Sequence, residues 1–87
     1  MVLDTSALLG ILLGEPEGDA MAARLAAARA PVICAPNWLE AMMVVTTRLG
    51  PQGAVALAEL MAAAEVQIDP ADEGIAVAAY DAWVRFG

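Results

Sequence analysis

Three short apolar runs, "MVLD", "PVICAP" and "EVQID", stand well apart along the chain, and alanine-rich stretches with helical spacing fill the intervals. Strands separated by helices cannot pair through tight hairpins, so the alternation commits the chain to a parallel sheet covered by helices on both faces. The expected class is therefore α/β, with the order β-α-α-β-α-α-β-α. Prolines punctuate it: Pro16, Pro36, Pro51 and Pro70 each stand just ahead of a helical pattern, where a missing N–H does no harm. The first helix should run from Thr5 to Leu13 and close at Gly14. The second, spaced by Met21, Leu25 and Ala28, should run from Glu17 to about Arg29. A third carries Leu39, Met42, Met43 and Leu49 and ends at Gly50, although the β-branched run Val44 to Thr47 weakens it. A fourth, opened by Pro51, carries Val55, Leu57, Leu60 and Met61. The last begins after Asp69, with Asp72 and Glu73 in its first turn and Ile75, Ala78, Ala79, Ala82 and Phe86 along one stripe.

At 87 residues the chain has room for one domain. Its 61% hydrophobic content rules out an intrinsically disordered segment and raises the question of a membrane. Charge spacing answers it: the longest uncharged runs, such as Thr5 to Gly14 and Leu49 to Ala58, are 10 residues, and a spanning helix needs about 20. Asp4 interrupts the first apolar run and no basic segment precedes it, so a signal peptide is not expected and a soluble cytoplasmic protein is.

Four Arg and no Lys stand against eleven acids, a net charge of −7. Such a chain cannot hold RNA or DNA by its own charge, so polyanion chemistry would need bound cations or a basic partner. A single Cys34 excludes an internal disulfide, and the absence of His removes Ser-His and Cys-His catalysis. What remains is carboxylate chemistry: acid–base pairs, or hard cations held by oxygen. In open parallel sheets the site lies beyond the carboxyl ends of the strands. Asp4 ends the first strand, and Glu40 lies in the first turn of the helix after the second. If those strands are neighbours, both carboxylates reach one crevice, a donor set suited to Mg²⁺ or Mn²⁺.

Structural readings of the same residues stand beside this one. Asp4 can cap the first helix, with Thr5 and Ser6 also able to satisfy orphan amides. Asn37 and Glu40 have the spacing of a capping box. Cys34 reads as a small buried hydrophobe, and Met42 and Met43 as core filling. Trp38 and Trp83 read as packing residues ahead of base-stacking platforms, and Asp81 as solvated. Asp4 as the nucleophile of a phosphoryl-transfer enzyme is disfavoured, because Ser6 stands where a dehalogenase-like pattern has a second Asp. A receiver-type phosphoacceptor would need a Lys, which the chain lacks.

"MVLDTSALLGILLGEPEGDAMAARLAAA" followed by "ICAPNWLEAMMVV" resembles the amino-terminal part of PIN-domain proteins, specifically VapC-type toxins. The opening "Asp-Thr-Ser-Ala-Leu" and the later "Leu-Glu-Ala" match the first two acidic motifs of that family, in order, and the likeness extends over essentially the whole of residues 1–87. The resemblance implies an α/β/α sandwich on a parallel sheet and Mg²⁺- or Mn²⁺-dependent RNA cleavage. It also implies a VapB-type antitoxin whose tail occupies the acidic groove. Residue by residue, it makes Asp4 and Glu40 the metal-binding carboxylates and Ser6 the hydroxyl that supports the first motif.

Members of the family are longer, and their third and fourth acids lie beyond "WVRFG"; Asp81, in mid-helix, does not match either. The resemblance thus implies a PIN domain incomplete at its carboxyl end. Two readings follow: the toxin ribonuclease of a toxin–antitoxin pair, or a non-catalytic remnant that binds an antitoxin-like partner or a complementing chain. With the strand that would flank the first one missing, an open edge should favour a homodimer or higher oligomer.

Overall fold

The computed structural model describes residues 1–69 and 80–85. The elements are β1 (Val2–Leu3), α1 (Thr5–Leu12), α2 (Gly18–Ala27), β2 (Val32–Cys34), α3 (Ala35–Leu49), α4 (Pro51–Ala63) and β3 (Gln67–Asp69), and residues 80–85 are helical. This is the expected α/β alternation. The start of the last helix, with Asp72, Glu73, Ile75, Ala78 and Ala79, and Phe86 near its end, lies outside the described residues.

The sheet is parallel in the order β1-β2-β3, with Leu3 opposite Ile33 and Ile33 opposite Ile68. Alternation along each strand places these three side chains on one face. That face carries the core: Leu3, Ile33, Leu8, Leu25, Ala41, Val45, Leu57 and Met61 are buried together, and Ile68 packs against them. The row behind it, Val2, Val32 and Gln67, is more open, and Val2 is 81% exposed. Within the described sheet β1 has a neighbour on one side and β2 on both.

Helix α3 departs from expectation at its start. Strand β2 stops at Cys34 and the helix begins at Ala35, so Pro36 sits inside the first turn rather than ahead of it. First-turn amides have no intrahelical acceptor, so a residue without an N–H is tolerated there. Glu40 therefore lies in the second turn. The β-branched run does not weaken this helix, because tertiary contacts override propensity. Val45 is wholly buried, and the Thr46 hydroxyl donates to the Met42 carbonyl one turn back at 2.7 Å. Gly50 ends α3 as expected, with φ at 75°.

Two close approaches hold the helices in pairs. A Cβ at Gly18 of α2 would strike the Gly10 carbonyl oxygen of α1, and one at Gly53 of α4 would strike the Val45 carbonyl oxygen of α3. Helix α1 also packs on α3, and α3 on β2 and β3, so the first helices after β1 and β2 lie side by side. Among the described residues no helix is long and apolar enough to cross a membrane.

Candidate functional site

Asp4 is the residue at which β1 becomes α1. Its backbone is extended (φ −108°, ψ 173°), as an N-cap requires, and its Oδ1 accepts from the Ala7 amide at 2.9 Å. The Ser6 hydroxyl donates to the same oxygen at 2.9 Å. These two donors, the Ala7 amide first, hold the Asp4 carboxyl below the usual carboxylate range. Capping and site readings of Asp4 are thus compatible: both bonds fall on one oxygen of an exposed carboxylate.

Thr5 does something the sequence did not suggest. Its hydroxyl does not turn to the amides of its own helix; it crosses to α3, donating to the Asn37 carbonyl at 3.1 Å and reaching Glu40 Oε2 at 3.4 Å. Thr5 is 9% exposed, so the hydroxyl needs a partner inside the protein. Glu40 itself is exposed. The pairing of β1 with β2 places the helices that follow them next to each other, and so brings the Asp4 and Glu40 segments into contact through Thr5. The capping box does not form, because α3 starts at Ala35. Its N-cap is Cys34, without a side-chain cap bond, and Asn37 is already a helical residue.

A cleft of about 190 Å³ opens beside Asp4, lined also by Ser6, Gly10, Glu15, Glu17 and Met21. Glu15 and Glu17 escaped the sequence reading because the turn between α1 and α2 folds them back over the start of α1. Glu40 does not line this cleft. Asp69 also ends a strand, opposite Cys34, two strands from β1. Strands lie about 4.8 Å apart, so one ion cannot easily bridge Asp69 and Asp4. Among the described residues no group of three or more Asp, Glu, Cys or His is gathered closely enough to hold a metal ion.

The remaining residues are placed as follows. Cys34 is half-buried rather than buried, because it stands at the open carboxyl end of β2. Trp38 and Met42 pack against the core. Met43 does not fill the core: with Val44, Thr47, Arg48 and Trp83 it lines a groove of about 390 Å³ on α3. Trp83 lies 5.9 Å from the Tyr80 ring, and Tyr80 shares a hydrogen bond with Thr46. Asp81 is exposed.

A family model described as PIN domain matches residues 1–87. Among curated proteins, VapC ribonuclease Mb2004c of Mycobacterium bovis and Ribonuclease VapC36 of Mycobacterium tuberculosis are each 33% identical to it over 88 residues. The match covers all of this chain and 63% of each relative. Ribonuclease VapC28 of Mycobacterium tuberculosis is 36% identical over 87 residues, covering all of this chain and 65% of the relative. The chain thus spans just under two thirds of the length of these relatives.

Proposed function

The chain belongs to the PIN-domain family, and on that premise we propose that it serves a metal-dependent endoribonuclease, the toxin of a toxin–antitoxin pair, which cleaves RNA phosphodiesters in the cytoplasm. The observation that carries this reading is the contact of Thr5 with Glu40, which joins the two acidic motifs at the carboxyl ends of β1 and β2. Relatives named VapC ribonucleases support it. By the same reasoning its partners are RNA and a VapB-type antitoxin, and it works as a homodimer or higher oligomer.

The donor set suits Mg²⁺ or Mn²⁺. Both carboxylates are exposed, and Asp4 is held in its charged form by the Ala7 amide and the Ser6 hydroxyl. Mg²⁺ is commonly bound through one or two carboxylates, with water and substrate phosphate completing the shell. Asp4 and Glu40 would hold the ion, which when bound supplies the positive charge that a phosphodiester needs in an acidic site and activates water for attack. Ser6 keeps the Asp4 carboxylate oriented, and the Asp4 cap fixes it to the end of α1.

RNA cleavage in Mn²⁺, compared between the wild type and Asp4→Asn, tests the proposal. Cleavage should require the ion and vanish in the variant; cleavage that survives both a chelator and the substitution rules it out. Partner binding without nuclease activity would overturn it in favour of a non-catalytic PIN domain that binds an antitoxin-like partner or a complementing chain.

A further inference from the structure

We infer that Thr5 is a positioning residue that holds the Glu40 carboxylate in register with Asp4, an inference that rests on the proposed metal site. Thr5 follows Asp4 directly and is buried, while both carboxylates are exposed. Its branched Cβ restricts χ1, so the hydroxyl is delivered in a narrow range of directions. The one hydroxyl proton is shared between the Asn37 carbonyl and Glu40 Oε2, at 3.1 and 3.4 Å. Asn37 and Glu40 are three residues apart on α3 and lie on one face of it. A single side chain therefore grips both the backbone of α3 and the carboxylate that this backbone carries.

The division of labour between the hydroxyls follows from direction. Ser6 serves Asp4 within one turn, at a separation of two residues, while Thr5 serves Glu40 across 35. A free glutamate on a helix surface samples several rotamers, and ordering it costs side-chain entropy. A hydroxyl already ordered by burial and by the Asn37 carbonyl removes part of that cost before an ion arrives.

The test uses the 87-residue chain and Mn²⁺ alone, with the dissociation constant read by titration calorimetry. Thr5→Val, an isostere without the hydroxyl, should weaken Mn²⁺ binding about tenfold, at the low end of the range for residues that orient metal ligands. Thr5→Ser should restore it. In a Glu40→Gln background Thr5→Val should have no further effect, because Thr5 acts through Glu40. Thr5→Ala repeats the measurement if the valine methyl disturbs the fold. A second readout needs no metal: the Glu40 Cδ resonance should move in Thr5→Val and return in Thr5→Ser.

Two results overturn the inference: wild-type affinity in Thr5→Val while Asp4→Asn loses it, or an equal loss with and without Glu40. An unmoved Cδ resonance overturns it as well. Failure of the metal site itself shows separately, as Mn²⁺ binding that Asp4→Asn leaves unchanged, and the Cδ resonance then decides the role of Thr5.

Discussion

The β1–α1 corner and the β2–α3 corner each present one carboxylate, but they hold it by different means. Asp4 is held by its own helix end, through donors two and three residues away. Glu40 has no such local partner at the start of α3, whose N-cap makes no side-chain bond; its contact is a hydroxyl from the other corner. The first arrangement forms whenever α1 forms. The second forms only when α1 and α3 are docked. A site built across the two corners is therefore set locally on one side and by tertiary packing on the other.

Asp4→Asn breaks the comparison hardest. Outer-shell partners of a metal cost about 10–100-fold when removed, so loss of a proposed ligand should cost RNA cleavage on the order of 100-fold or more. Asn caps helices about as well as Asp, so thermal unfolding should barely move. A variant that loses activity only in proportion to lost folding would show that Asp4 is a cap alone.

The next effect separates the corners by the helices that back them. Gly53→Ala drives a methyl into the Val45 carbonyl of α3, and Gly18→Ala into the Gly10 carbonyl of α1. Each should destabilise by about 1–3 kcal/mol, read as a lower urea midpoint. If Glu40 depends on docking, Gly53→Ala should also shift the Glu40 Cδ resonance while the Asp4 carboxyl resonance stays in place. Equal movement of both resonances would erase the distinction.

Asp4→Ala measures the local side by itself. Loss of the cap should cost about 1 kcal/mol, a fall in Tm of about 4–8 °C for a chain of this size. An unchanged Tm would mean that tertiary packing alone holds the start of α1.

The smallest effect is in pH. The Asp4 carboxyl is lowered in the folded protein by the Ala7 amide and the Ser6 hydroxyl, so the charged form is the stabilising one. Its contribution is present above the usual carboxylate value of about 3.9 and is lost as the pH falls through the depressed folded value. Below that window wild type and Asp4→Asn should converge in metal-free stability. A gap that widens on acidification would give the shift the opposite sign.

Legibility in the sequence follows the same division. Asp4 is readable in the sequence as a cap, because its partners lie within one turn. The position of Glu40 differs by a turn from what the sequence suggests, because a proline reads as preceding a helix whereas α3 accommodates Pro36 in its first turn. The role of Thr5 was hidden. A Thr beside a capping Asp has several local amides available, and nothing in its neighbours signals that the hydroxyl turns toward Asn37 and Glu40. Glu15 and Glu17 were hidden likewise, since only the return of the chain between α1 and α2 lays them beside Asp4.

By itself the sequence determined the order of strands and helices, their parallel pairing and the residue that starts α1. Those follow from periodicity, turn residues and composition, which act over a few residues. Tertiary structure alone decided that Val45 belongs in a helix core, that Cys34 is half open, and that a buried threonine spans two corners. The burial of Val45 depends on helix packing, the exposure of Cys34 on its place at the carboxyl end of β2, and the span of Thr5 on the docking of α1 against α3 that the pairing of β1 with β2 brings about. No local pattern in the chain encodes these.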